Sequence, residues 1–192
     1  MLKFTVLQLK KIILSFFLLV FVANSGFFFA QSFIELRAKY GDLEENDERA
    51  LPFIKHYIDK AKREKDYTHL AQGYLDESYY NSNVDVKLKY ADSAIASANN
   101  SSNNELIVTA HMTKGTLIYF YFKKYRTALD EYLKAYNYSK KTDDKYRQHT
   151  IIYHIGVIKS YLGYYPEALE NFRNCITYFE PLANNTNLHP NL

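Results

Sequence analysis

The chain has 192 residues, of which 47% are hydrophobic and 17% aromatic, enough apolar material for one domain with a packed core. Its 6 glycines and 4 prolines are too few for the many turns of an all-β fold, which favours long helices. The formal charge of +3 comes from lysines within residues 1–30, so residues 31–192 lack the basic excess of a nucleic-acid-binding protein.

The first 30 residues have the composition of a secretory signal. Basic residues come first, at Lys3, Lys10 and Lys11. An apolar run from Ile12 to Ala23 follows, and this order matches the basic and hydrophobic parts of a signal peptide. The small residues of Ala23-Asn24-Ser25 predict cleavage before Gly26, and a second possible cleavage site follows Ala30.

An uncleaved membrane anchor is the alternative for this segment. Residues 12–30 approach the roughly 20 apolar residues of a spanning helix, although the Asn24-Ser25-Gly26 triplet interrupts them. Either interpretation predicts that residues 31–192 lie outside the cytoplasm, in the periplasm or tethered to the inner membrane.

Two segments of the chain repeat each other without a gap. A shift of 40 positions brings residues 109–140 onto residues 149–180. The aligned pairs include Met112/Ile152, Thr116/Gly156, Tyr125/Tyr165, Ala128/Ala168, Leu129/Leu169, Tyr132/Phe172, Ala135/Cys175 and Tyr138/Tyr178. Earlier blocks with the same spacing are Leu88, Ala91, Ala94, Ile95, Ala98 and Leu51, Ile54, Tyr57, Ile58, Ala61. Residues spaced in this way share one helix face, so the sequence predicts four helical pairs.

The predicted helices follow in chain order: 32–40, 49–64, 67–80, 84–99, 105–123, 126–140, 144–162 and 166–179. Their expected N-caps are Asp66, Asn83, Asn104 and Asp143. Pro166 suits the first turn of the last helix, where its missing N–H costs nothing. Polar residues 99–104 are predicted to form a loop between repeats. The repeat domain is expected over 31–180, and residues 181–192 form a polar tail without helical period.

The last predicted pair resembles the tetratricopeptide repeat (TPR) family. The resemblance rests on Gly156, Leu162, Gly163, Tyr165, Ala168, Leu169, Phe172 and Cys175. It is strongest over 109–180 and weak before residue 66, and Lys87, Ala91 and Lys159 depart from the pattern. It implies an all-α fold, a right-handed superhelix of antiparallel helix pairs with three to four repeats of about 40 residues. The positions expected to pack between helices are Gly73, Leu88, Ala94, Ala128, Leu129, Tyr132, Ala135, Gly156, Ala168, Leu169, Phe172 and Cys175.

The long period, the leading signal and the many Tyr and Lys residues are similar to the N-terminal sensory regions of TPR-containing AraC-type regulators of Bacteroidetes. The TPR resemblance implies a non-catalytic scaffold outside the cytoplasm that binds a protein or peptide, with a sensory or assembly role. The alternative is the sensor portion of a membrane-bound transcriptional regulator. In both cases the membrane is contacted only through residues 1–30, if they are uncleaved.

In TPR proteins the first helix of each pair lines a concave binding face. The positions implied here are Tyr74, Glu77, Thr113, Leu117, Phe120, Tyr121, Tyr153, Val157, Ser160 and Tyr161. This lining is aromatic and nearly uncharged, and Thr113 and Leu117 occupy positions where a carboxylate clamp would place Lys or Asn. The resemblance therefore implies an apolar peptide or a partner helix as ligand.

No combination of residues predicts catalysis, a metal site or a cofactor. The histidines lack the zinc-protease spacing, and the sequence has neither a Gly-rich phosphate loop nor a Gly-x-Ser-x-Gly elbow. The single cysteine, Cys175, is predicted to be buried.

The last second helix carries an apolar stripe at Phe172, Ile176 and Phe179. One flank of this stripe is expected to lack a partner helix, since stacked repeats need a cap with a polar outer face. The possible consequences are self-association through the C-terminal repeat, a further repeat downstream, or a makeshift cap from residues 182–192.

Overall fold

The computed structural model describes residues 32–184. Helix accounts for 82% of these residues and none of them is in a strand, which confirms the all-α prediction. The α-helices are α1 Phe33–Ala38, α2 Leu51–Glu64, α3 Tyr67–Tyr80, α4 Val84–Ser101, α5 Asn104–Leu117, α6 Tyr125–Ser139, α7 Lys145–Tyr161 and α8 Tyr165–Asn184. A 3₁₀ turn, Glu48–Ala50, leads into α2, and a π-helical turn, Ile118–Phe122, extends α5.

The helices pack in consecutive pairs. α3 packs mainly on α4, α5 on α6, and α7 on α8, and these are called the first, second and third pairs. Turns of two or three residues join the members of each pair, so they run antiparallel. The pairs stack in chain order, with α2 against α3, α4 against α5 and α6 against α7. This is the α-solenoid that the repeat predicts.

Some sequence predictions lie outside the described residues. These are the proposed signal or anchor in residues 1–30 and the end of the polar tail after residue 184. Within residues 32–184, every helix is too short or too polar to cross a bilayer.

Side-chain N-caps define the starts of α3 and α4. Asp66 accepts a hydrogen bond from the His69 backbone N–H (3.0 Å) and Asn83 one from Val86 (3.1 Å), as predicted. The other two caps are one residue away from their predicted positions. They are Asn103, which accepts from the backbone of Glu105 and Leu106, and Asp144, which accepts from that of Arg147.

Two predicted loop segments are helical. α4 continues to Ser101, so the predicted loop over 99–104 shrinks to Ser102 and Asn103, with Ser102 in the left-handed conformation. α8 begins at Tyr165 with Pro166 in its first turn, as predicted, but continues past the boundary expected at residue 180 and includes Pro181.

A one-residue difference between the last two repeats is absorbed by the π-helical turn. A Cβ added at Gly115 would lie 3.1 Å from the Tyr132 ring, and one at Gly156 would lie 2.9 Å from the Phe172 ring. Gly115 is therefore the structural counterpart of Gly156, whereas the ungapped sequence alignment pairs Gly156 with Thr116. A π turn contains one residue more than a regular helical turn, so it restores the register before α6 begins.

The main core fills the space between α5, α6 and α7. Its fully buried members are Val108, Ile118, Ala128, Tyr132, Ala135, Ile151, Ile155 and Ile158. Leu88 and Leu129, predicted to pack between repeats, lie at the edge of this core, and Ala94 and Ala168 are buried. Gly73 packs on α2, where an added Cβ would lie 2.7 Å from Ile58.

The last pair is less completely covered. Cys175 is buried as predicted, and its Sγ donates to the His149 carbonyl oxygen at 3.4 Å. Phe172 is half-buried beside Gly156 and 6.0 Å from the Tyr153 ring. Leu169, in contrast, is 49% exposed, because no described helix packs on that side of α8.

Candidate functional site

A groove of about 900 Å³ runs across the first helices of three consecutive pairs. α3, α5 and α7 each contribute one face, and α1 with the loop after it closes one end. The lining residues are Arg37, Gly41, Leu43, Glu45, Gln72, Leu75, Asp76, Ser78, Tyr79, Tyr80, Lys87, Thr109, Met112, Thr113, Thr116, Leu117, Asp144, Tyr146, Arg147 and Thr150. We refer to this cavity as the groove.

Helical periodicity explains which residues face the groove. Groove positions on α3 include Gln72, Leu75, Asp76 and Tyr79, and those on α5 include Thr109, Met112, Thr113 and Thr116. Both sets follow the i, i+3, i+4, i+7 spacing of one helix face, and they lie 37 residues apart. The two helices therefore present equivalent faces to the groove.

A buried aspartate organises the end of the groove next to α1. Both oxygens of Asp76 accept from the Arg37 guanidinium, at 3.0 and 3.1 Å. The Tyr40 hydroxyl donates to the same carboxylate at 2.8 Å, and so does the Gln72 amide at 2.8 Å. Burial and the adjacent Asp76 charge raise the pKa of Tyr40, so its hydroxyl remains a donor. Asp76 is a fully satisfied buried anion that holds α1 against α3.

Lys87 explains one departure from the TPR pattern. Its side chain is only 1% exposed and its Nζ donates to Glu45 at 2.6 Å and to the Tyr79 carbonyl oxygen at 3.3 Å. The residue ties α4 to the loop after α1. A buried lysine is tolerated here because its charge is paired and hydrogen-bonded.

An arginine crosses from α7 to α5 at the opposite side of the groove. Arg147 donates to the Thr109 hydroxyl at 2.8 Å, and its Nε lies 3.1 Å from Asp144. Thr109 in turn donates to the Glu105 carbonyl oxygen at 2.9 Å. The link sets the spacing between two neighbouring first helices.

The groove surface is mixed polar and apolar. Its cations at Arg37, Lys87 and Arg147 all have carboxylate partners. Between them lie threonine hydroxyls, the aliphatic side chains of Leu75, Met112 and Leu117, and exposed tyrosine rings. This composition differs from the aromatic, nearly uncharged lining expected from the resemblance.

Two of the ten positions carried over from the resemblance line the groove, Thr113 and Leu117. Tyr74 lies on another side of α3, with its ring 5.9 Å from Tyr90 of α4. Glu77 is buried on α3 outside the groove lining, and burial raises the pKa of its carboxyl.

The remaining carried-over positions lie elsewhere on α7 and the π turn. Phe120 and Tyr121 are exposed on the π-helical turn, Tyr161 stacks on Tyr125 at 4.9 Å, and Tyr153 is exposed beside α8. Val157 and Ser160 are half-buried on α7, where the Ser160 hydroxyl donates to the Val157 carbonyl oxygen.

Some groove residues were not among the predicted binding positions, including Gln72, Asp76, Thr109, Thr116 and Arg147. A signal for some of them was present, since a 37-residue shift takes Thr109 and Thr113 to Gln72 and Asp76. Among residues 32–184 no cluster of His, Cys, Asp and Glu has a metal-binding arrangement.

No protein-family model matches the chain, and no curated protein matches its sequence. The groove is therefore the feature of residues 32–184 from which we infer a function.

Proposed function

We propose that the chain is a TPR-type, non-catalytic scaffold that binds a peptide segment of a protein partner in the groove. The observation that carries this proposal is the continuous lining of the groove by α3, α5 and α7. A face built by equivalent helices of successive repeats is the usual binding surface of solenoid proteins.

The dimensions of the groove suit an extended peptide. Its volume of about 900 Å³ lies in the upper part of the range for ligand pockets. Neighbouring packed helices are ~8–10 Å apart, and an extended chain advances ~3.3 Å per residue. Each first helix would then face about three residues of the ligand.

The chemistry of the lining also suits a peptide. Thr109, Thr116 and Thr150 already make hydrogen bonds within the protein, whereas the Thr113 hydroxyl lines the middle of the groove. A hydroxyl both donates and accepts hydrogen bonds, so Thr113 can pair with an amide group of a ligand backbone. Leu75, Met112 and Leu117 offer apolar contacts to its side chains. Because Arg37, Lys87 and Arg147 are already paired, the ligand need not be strongly acidic.

Selection of peptides from a random 12-residue display library tests the proposal. Binding of a selected peptide would be measured by fluorescence anisotropy to the wild type and to Thr113→Trp, which fills the middle of the groove. Thr127→Trp is the matched control, because Thr127 is exposed on α6. We expect at least about tenfold weaker binding to Thr113→Trp, since filling the groove removes the contact surface.

The control should bind like the wild type. Equal affinity of Thr113→Trp and wild type would contradict the proposal, and so would an equal loss in both variants.

The proposal places the groove outside the cytoplasm, on the strength of the basic and apolar order in residues 1–30. If the chain is instead the sensor portion of a transcriptional regulator, its ligand would bind in the same groove. The two alternatives therefore differ in the effect of ligand binding and share the binding site. A periplasm-dependent reporter fused after residue 184 should be active, and Leu18→Asp with Val20→Asp should silence it. Activity retained in that variant would contradict export.

A further inference from the structure

Exposed aromatic side chains cluster where the second and third pairs turn from first to second helix. Five of them are between 40% and 69% exposed: Phe120, Tyr121, Tyr161, Tyr164 and Tyr165. Tyr119 joins the two turns, because its ring lies 4.7 Å from Phe120 and 5.7 Å from Tyr161. We call this surface, together with Lys123 and Lys124, the aromatic–lysine patch.

The π-helical turn exposes part of the patch. It ends at Phe122 and is followed by Lys123, which has a left-handed φ of 54°. Phe120 and Tyr121, within the turn, are more than half exposed. Contiguous exposed apolar surface of this kind marks interaction sites in folded proteins. The turn that corrects the repeat register thus also creates an unusual surface.

The patch is basic as well as aromatic. The two segments that form it, 118–126 and 157–166, contain four cations, and one acidic residue, Glu167, follows the second segment directly. These cations are Lys123, Lys124, Arg126 and Lys159. Lys123 and Lys124 make no ion pair within residues 32–184 and lie over aromatic rings of the π turn, at 5.8–5.9 Å.

The opposite end of the second pair offers a contrast. The turn between α6 and α7 also has two adjacent lysines over aromatic rings, Lys140 and Lys141. Asp143 and Asp144 follow after Thr142, so residues 140–144 carry two positive and two negative charges. The rings under Lys140 and Lys141, those of Tyr136 and Tyr138, are half-buried, whereas Phe120 and Tyr121 of the aromatic–lysine patch are more than half exposed.

We propose that the aromatic–lysine patch docks on an anionic lipid surface. Tyrosine rings partition to the headgroup level of a bilayer, where their hydroxyls stay hydrated, and clustered lysines are attracted to anionic headgroups. The proposal is independent of the groove and of residues 1–30.

A local probe tests this in the full chain, since residues 1–30 could hold the chain on any vesicle. Cys175→Ala removes the native thiol, and Tyr121→Cys then carries the environment-sensitive dye NBD. Vesicles of phosphatidylcholine with phosphatidylglycerol should shift its emission to the blue, whereas phosphatidylcholine alone should not. The same dye at Asn100→Cys, an exposed site on the last turn of α4, should report no shift on either vesicle.

Matched charge reversals distinguish binding through the aromatic–lysine patch from attraction of the whole chain to anionic lipid. Lys123→Glu with Lys124→Glu should abolish the shift at residue 121, and Lys140→Glu with Lys141→Glu should preserve it. High salt should weaken it, because surface charges are screened.

Three results would overturn the proposal: no shift at residue 121 with anionic vesicles, an equal shift on phosphatidylcholine alone, or a shift that survives reversal of Lys123 and Lys124. Circular dichroism of each variant would verify that it is folded.

Discussion

The second and third helical pairs share a sequence pattern but differ in what covers them. α6 lies between α5 and α7, whereas no described helix packs on the outer side of α8. Tyr132 is 1% exposed and its counterpart Phe172 is half-buried. Leu129 packs against the core, whereas Leu169 is 49% exposed.

The difference shows that burial in this fold is set by neighbours as much as by the residue itself. In a solenoid each repeat contacts only the adjacent repeats, so stability is close to a sum of repeat and interface contributions. The same apolar residue should therefore contribute more to the free energy of unfolding in α6 than in α8.

The largest expected effect is the loss of an aromatic ring in the buried pair. Tyr132→Ala removes a ring that lies in the core and shares a 2.7 Å hydrogen bond with Thr116, and should destabilise the protein by about 3–5 kcal/mol. Phe172→Ala should cost about half as much, because its ring is partly solvated. Urea unfolding followed by circular dichroism gives both values, and equal costs would contradict the neighbour argument.

A second difference between the pairs is electrostatic. Glu131 is 4% exposed, and its carboxylate contacts His111 Nδ1 (2.7 Å), Lys134 Nζ (3.0 Å) and Lys114 Nζ (3.4 Å). Burial by itself raises the pKa of Glu131, but the hydrogen bonds and the lysine charges hold it at about 2. Its counterpart 40 residues later is Asn171, which accepts from Lys159 at 3.2 Å and does not titrate.

This carboxylate should make the second pair sensitive to acid. A pKa held below its ordinary value of 4.5 stabilises the folded state above pH 4.5, and this stability is lost as the pH falls towards 2. Glu131→Gln should therefore cost about 2 kcal/mol at pH 7, and less than half as much at pH 3. The measurement is the difference in unfolding free energy between variant and wild type at both pH values. A difference that does not change with pH would show that the ion cluster does not act in this way.

Gly115 and Gly156, the packing glycines of the second and third pairs, should also differ in how much stability an alanine costs, by a smaller amount. An alanine at Gly115 would meet the Tyr132 ring at 3.1 Å, and that ring is fixed by burial. Gly115→Ala should therefore be destabilising by about 1 kcal/mol, despite the gain in helix propensity. At Gly156 an added Cβ would lie 2.9 Å from the Phe172 ring and 3.1 Å from the Asn171 Cβ. Gly156→Ala should cost less than Gly115→Ala, because the half-buried Phe172 ring can move outward. Thermal unfolding of the two variants should show the lower midpoint for Gly115→Ala, and the reverse order would be inconsistent with this reasoning.

The smallest expected effect concerns the exposed leucine. Leu169→Gln should change stability by less than about 0.5 kcal/mol, as surface substitutions do, whereas Leu129→Gln should cost about 1 kcal/mol. If Leu169→Gln were as destabilising as Leu129→Gln in urea unfolding, Leu169 would have a partner that the described residues do not provide.

The helices could be predicted from sequence because their signals are local. Periodic apolar residues and capping side chains placed most helix ends within two residues of their positions. The misplaced caps occur where two capping residues are adjacent, as in Asn103-Asn104 and Asp143-Asp144, since either member can accept the same hydrogen bonds. The helical state of Pro181 ran against its local preference.

The groove was harder to predict because it depends on how each helix is rotated about its axis. α3 begins 17 residues before α4, and α5 begins 21 residues before α6, so a register taken from the second helices does not transfer to the first. The aromatic residues favoured by the resemblance, such as Tyr74 and Tyr161, pack against other rings instead. Polar groove residues such as Asp76 could not be found from the periodic spacing of apolar residues, which identified the packed helix faces.

Backbone amide chemical-shift mapping with a selected peptide tests the central claim most directly. We predict that the perturbed amides lie on the groove faces of α3, α5 and α7, around Leu75, Thr113 and Arg147, with little change in α6 and α8 and in the part of α4 after the groove residue Lys87. Perturbations confined to the exposed side of α8 or to the second helices would contradict the assignment of the groove as the ligand site.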